Sequence, residues 1–169
     1  MSTVDKFPNF LSGDLLETAA NTFTTTRVST PIPRIGTGRR GRSTVMELLY
    51  VDIDWFGSPL TTGGDLVQIE FLIGSAPTAL VGWDDPRVFA FQRYSCDYVT
   101  SGGSASTFPK RYSFQEQNGF GYLLASDAFN VSIQGTSLDS ASGIRWKLFY
   151  RFVDITTDEF VGIVQSQST

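Results

Sequence analysis

The sequence predicts an all-β protein: a single eight-stranded antiparallel jelly roll with an extended N-terminal arm. Three observations lead there. Val45–Trp55 reads VMELLYVDIDW, with Val51, Ile53 and Trp55 alternating with Asp52 and Asp54. Such period-two alternation of β-branched and aromatic residues marks a strand buried on one face. Aromatic residues make up 14% of the 169-residue chain, and long Ala/Glu/Lys/Leu-rich stretches are absent. Short apolar runs are separated throughout by Gly, Ser, Asp and Pro, the punctuation of an all-β domain. The length suits one domain that buries a substantial core without disulfides or metal.

The elements follow in order. Ser12, with Asp14 behind it, is placed to cap a short helical turn through Leu15, Leu16, Ala19 and Ala20. A docked, irregular arm fits the same residues. Phe23–Thr30 is Thr-rich and extended, and Pro31 and Pro33 keep the following chain at an edge or in an arm. Gly36–Gly41 (GTGRRG) is flexible. Residues 1–44 are therefore expected to form an arm with a basic Gly-rich segment, and residues 45–169 the jelly roll. Within the latter, Val45–Trp55, Leu66–Ile73, Val88–Val99, Phe108–Phe114, Gly121–Ala125, Phe129–Gln134, Ile144–Ile155 and Glu159–Gln165 read as strands. In a jelly roll the first strand lies beside the last, which sets Glu159–Gln165 against Val45–Trp55. An immunoglobulin-like sandwich is the alternative wiring, but its paired cysteines cannot occur here.

Composition removes several functions. The chain has no His and a single Cys, Cys96. Ser-His-Asp and Cys-His catalysis, the usual His-bearing zinc sites, paired-Cys metal motifs and an intrachain disulfide are all excluded. No apolar run approaches the roughly 20 residues of a membrane span. The opening MSTVDKFPNF lacks the pattern of a signal peptide, so a soluble protein made in a reducing compartment is expected.

Net charge is −4, with an uneven distribution. Between Glu17 and Glu47 there is no acid, yet Arg27, Arg34, Arg39, Arg40 and Arg42 lie there. A short basic segment is thus joined to an acidic body. Arginines on a Gly-rich segment can follow a phosphate backbone without reading bases, or pair with acids of a neighbouring strand or subunit.

Other patterns fit less well. Gly36-x-Gly38-x-x-Gly41 has the letters of a dinucleotide fingerprint, but prolines precede it and a strand follows, so no helix N-terminus meets a phosphate. Asp52 with Asp54, and Asp84 with Asp85, are carboxylate pairs of the kind used in glycoside hydrolysis or Ca²⁺ binding. Solvation or a subunit contact is the simpler reading of both, and neither catalysis nor a metal is expected. Trp55 and Trp146 belong to apolar strand faces. Trp83, in a loop beside Pro86, is the candidate for an exposed ligand or interface position. Asn130-Val131-Ser132 matches a glycosylation sequon, which carries no weight without a secretory signal.

FPNFLSGDLLETAANTFTTT, then TPIPR, a short basic Gly-rich stretch and VMELLYVDIDW resemble the capsid proteins of small circular Rep-encoding single-stranded DNA viruses. The resemblance covers about residues 5–55 and lies in the order and style of segments. It implies a single jelly roll, sixty copies in an icosahedral shell, and a cavity holding circular single-stranded DNA. Only the basic stretch carries over residue by residue: Arg34, Arg39, Arg40 and Arg42 stand where an inward-facing basic segment lies. The opening MSTVDKFPNF departs from the long arginine-rich arm of many relatives, and a shell that assembles without nucleic acid is compatible with that departure. The expected function is a self-assembling capsid protein of the virion, without catalysis, cofactor or membrane association. The alternative is a β-sandwich carbohydrate-binding module, with Trp83 and loop aromatics as its platform; a small glycosidase or lyase using Asp52 or Asp84 is a third.

Overall fold

A computed structural model describes residues 2–3, 7–31, 42–57, 60, 64–95, 109–115 and 120–167. Two antiparallel sheets pack face to face. The first holds β1 (Ser2–Thr3), β2 (Asn9–Leu16), β4 (Arg42–Phe56), β7 (Lys110–Ser113), β8 (Tyr122–Leu124) and β10 (Gly143–Thr156). The second runs β3 (Thr24–Ser29), β9 (Ala128–Thr136), β5 (Leu66–Ile73), β6 (Val88–Ser95). A helix, α1 (Thr157–Gln167), ends the described chain. β4 pairs β10 and β5 pairs β9, so the outer pair lies in one sheet and the nested pair in the other. That nesting is the jelly-roll wiring expected from the sequence.

The core lies between the sheets. Val51, Ile53 and Trp55 of β4 meet Val67, Ile69 and Phe71 of β5, Val131 and Ile133 of β9, and Ile144, Trp146 and Leu148 of β10. Trp146 is 4% exposed and stands edge-on to Phe71 at 5.9 Å between ring centroids. Trp55 is also buried, and its indole N–H donates to Ser142 Oγ at 2.7 Å. The assignment of both tryptophans to the core therefore holds.

The final strand is a correction. Glu159–Gln165 is not a strand beside β4 but part of α1, and β10 takes the place beside β4 along its whole length. The cause is a capping box. Thr156 Oγ1 accepts from Glu159 N–H at 3.3 Å, while Glu159 Oε2 accepts from Thr156 N–H at 2.8 Å. These reciprocal bonds satisfy the first orphan donors of a helix, and Asp158 and Glu159 favour its positive end. The Thr156 N–H holds the Glu159 carboxyl below its usual range. Phe160 then buries against Val45, Val153 and Ile155 on the outer side of the first sheet.

Of the segment read as a helical turn or irregular arm, Ser12–Leu16 belongs to β2, paired with β10 from Gly143↔Leu16 to Tyr150↔Asn9, and Ala19 and Ala20 lie beyond the strand. Gly13 explains why it lies so close: a Cβ there would come within 2.7 Å of the Trp146 ring. Its end is held by Glu17, which is 2% exposed. The carboxylate accepts backbone N–H groups of Gly135 at 2.6 Å and Ser142 at 2.8 Å. β2 and β3 both lie within residues 1–44, the stretch read as an arm.

Two bulges alter the side-chain parity. Phe149 faces Tyr50 and Tyr150 faces Leu48, so Leu49 is an extra residue in β4. Regular alternation would put Glu47 on the core side with Val51. Instead Met46 and Leu48 enter the core, and Val45 and Glu47 turn outward beneath other chain segments. In β6, Ala90 faces Phe71 and Val88 faces Leu72, which makes Phe89 the extra residue. Ala90, Tyr94 and Phe89 are all buried, whereas Phe91 lies half-buried with the Arg93 guanidinium 5.9 Å from its ring.

Candidate functional site on the outer face of the first sheet

Register determines what the first sheet shows outward. Arg145 of β10 lies between Asp14 of β2 and Asp54 of β4. Two residues along, Lys147 lies between Ser12 and Asp52, and Arg111 of β7 follows Asp52. Two further along, Phe149 lies between Phe10 and Tyr50, with Ser113 beyond. The face is a grid of charge rows ending in an aromatic row.

Its side chains are mutually ordered. Arg111 forms a two-pronged bond to Asp52, Nε to Oδ1 at 2.6 Å and Nη2 to Oδ2 at 2.8 Å. That bond lowers the Asp52 carboxyl below its usual range and raises Arg111. Tyr50 and Phe149 stack at 4.4 Å, and Phe10 follows at 6.1 Å from Phe149. Lys147 Nζ sits 4.0 Å from the Phe10 ring centre and the Arg111 guanidinium 4.0 Å from that of Tyr50, both within cation–π range. A shallow hollow of about 550 Å³ opens between Asp14, Asp52, Asp54, Arg145 and Lys147. Phe10 remains 54% exposed.

Beyond this grid, α1 and a buried ion pair cover the same face. Glu47 is wholly buried; Arg151 donates Nε to its Oε2 at 2.5 Å, and the Gly121 N–H donates to Oε1 at 2.8 Å. Gly121 allows that approach, because a Cβ there would collide with the Leu48 carbonyl. The second sheet's outer face is covered differently. Fully buried Glu70 accepts N–H groups of Val81 and Gly82, both at 3.2 Å, which fixes loop 74–87 over β5. Burial raises the Glu70 carboxyl, opposed by those two N–H groups. In that loop the Arg87 guanidinium lowers Asp85 to about 2. Trp83 projects from it at 73% exposure, as expected from the sequence.

Of the four arginines expected to meet nucleic acid, Arg34, Arg39 and Arg40 lie outside the described residues. Arg42 is exposed at the first position of β4, opposite Thr156. Cys96 also lies outside the described residues. Asp52 and Asp54 share the outward face, and Asp84 and Asp85 lie apart from them in loop 74–87. Among the described residues, no three His, Cys, Asp or Glu side chains gather as a metal site would need. Asn130 is buried within β9, so its sequon is structural. The aromatic row escaped sequence reading because Phe10 belongs to the stretch read as an arm, not as a strand of the sheet.

No family model matches the chain, and no curated protein matches its sequence. The fold does match solved structures. New Jersey polyomavirus VP1 aligns with a TM-score of 0.56 at 8% identity, covering 89% of this chain and 100% of that one. VP1 of Trichodysplasia spinulosa-associated polyomavirus, solved with GM1 oligosaccharide, gives 0.53 at 9% identity over 93% and 98%. Human polyomavirus 12 VP1, solved with 3'-sialyllactosamine, gives 0.53 at 9% identity over 89% and 100%. The chain thus shares its jelly-roll fold with viral capsid proteins. No helix among the described residues is long and apolar enough to cross a membrane.

Proposed function

We propose that the chain is a viral capsid protein that self-assembles into a small icosahedral shell, with no catalytic role. The observation that carries this reading is the fold likeness to VP1, which extends over nearly the full length of both chains. A jelly roll alone hosts many functions, but the segment order TPIPR, basic stretch, VMELLYVDIDW adds a resemblance to the capsid proteins of circular single-stranded DNA viruses. In that reading sixty copies form a T=1 shell around circular single-stranded DNA, and the protein resides in the virion. Arg34, Arg39, Arg40 and Arg42 contact phosphates from the inside.

The test replaces all four arginines with Ser and measures particle yield and nucleic-acid content together. Particles should form at normal yield, because Arg42 is exposed at a strand end, and should carry less nucleic acid. The salt slope of single-strand binding should fall by about 0.7 for each phosphate that is no longer neutralised. Normal particles with unchanged nucleic acid would remove the DNA role. Loss of particles would make these arginines subunit-contact residues.

A second reading, carbohydrate binding, rests on one observation: Trp83 is exposed at 73% on a loop held by Glu70 and by the Asp85–Arg87 pair. Two of the structural neighbours were solved with GM1 oligosaccharide and with 3'-sialyllactosamine. The shell reading requires assembly, whereas a carbohydrate-binding module requires only a sugar.

A further inference from the structure

The outward columns of the first sheet alternate in sign. Taken across the sheet they run acidic in β2 (Asp14), basic in β10 (Arg145, Lys147), acidic in β4 (Asp52, Asp54) and basic in β7 (Arg111). Three acids and three bases leave the patch neutral. A nucleic acid is recognised by net positive charge, so this face is poorly suited to phosphate. The order −, +, −, + has another property: reversed, it is its own complement. We infer that this face docks on the same face of a second copy, across a two-fold axis parallel to the strands and between β10 and β4.

That operation lays β4 of one copy over β10 of the other. Arg145 meets the second copy's Asp54, Lys147 meets its Asp52, and Phe149 meets its Tyr50, each contact occurring twice. Such reciprocity is what a two-fold interface requires. The aromatic row supplies apolar area, and the charge rows fix the register. Among the described residues this end of the first sheet is uncovered, whereas α1 covers Val45, Val153 and Ile155 at the other, and loop 74–87 overlies the second sheet. Four strands about 4.8 Å apart and rows about 6.8 Å apart give a patch roughly 15–20 Å across. That is small for a free-standing dimer and fits a contact repeated through a larger assembly.

The inference deepens the capsid reading by naming one of its subunit contacts. Arg145→Asp places acid opposite acid, and Asp54→Arg places base opposite base. Each variant alone, folded by circular dichroism, should need at least tenfold more protein than wild type to associate in sedimentation velocity. A 1:1 mixture of the two should associate like wild type, because each supplies the charge the other lacks. Mixing cannot repair a disturbance confined to one chain. Should either variant fail to fold, Lys147→Glu and Asp52→Lys provide the same test one row along. Wild-type-like association by either variant alone, or a folded mixture that does not associate, overturns the inference. Wild type that pairs through this face but makes no particles would defeat the capsid reading alone, and particles formed normally by each single variant would defeat only the two-fold contact.

Discussion

Trp146→Ala is expected to destabilise the protein by roughly 3–5 kcal/mol, the range for removing a large aromatic from a packed core. For a chain of this length that lowers the melting temperature on the order of 10 °C. Trp146 lies where the two sheets meet: its ring is edge-on to Phe71, 5.9 Å from Phe129, and pressed under Gly13 of β2. Truncation therefore removes apolar packing from both sheets at once. Among the described residues the indole N–H has no hydrogen-bond partner, so the expected loss is one of packing. Thermal unfolding followed by circular dichroism measures it. An unchanged melting temperature would mean that the inward face of β10 has been assigned backwards.

Arg151→Ala is expected to cost about 3 kcal/mol, the low end for stranding one member of a buried ion pair. Glu47 is wholly buried, whereas the Arg151 side chain keeps 30% of its surface. Removing the guanidinium leaves the buried carboxylate facing the Gly121 N–H without a neutralising charge. Urea titration of the single variant and of Glu47→Leu/Arg151→Leu separates charge from shape. The double variant should recover most of the loss, since an apolar pair leaves no buried charge behind. A double variant no more stable than Arg151→Ala would show that the two residues do not act as a pair.

The strands that alternate cleanly were legible. Leu66–Ile73 has the same limits in sequence and structure, because no bulge interrupts its inward residues Val67, Ile69, Phe71 and Ile73. Parity failed at Leu49 and Phe89, where one extra residue reverses every side chain on one side of it. Nothing local in VMELLYVDIDW announces that bulge; it follows from partners about 100 residues away. The end of the chain was a different failure. Thr156-Thr157-Asp158-Glu159 is a capping box visible in the sequence, and the β-branched residues after it masked the signal. The outward grid was half legible, since Asp52 and Asp54 share a face by spacing alone. Its other columns come from β2, β7 and β10, and only register brings them together.

The mass of the purified protein tests the proposed shell most directly. Sixty chains of 18.6 kDa make a particle of about 1.1 MDa. Sedimentation velocity at near-neutral pH and milligram-per-millilitre concentration should show a fast boundary of that mass, with round, uniform particles by negative stain. A single slow boundary at the mass of one chain, unchanged as concentration rises, would contradict it.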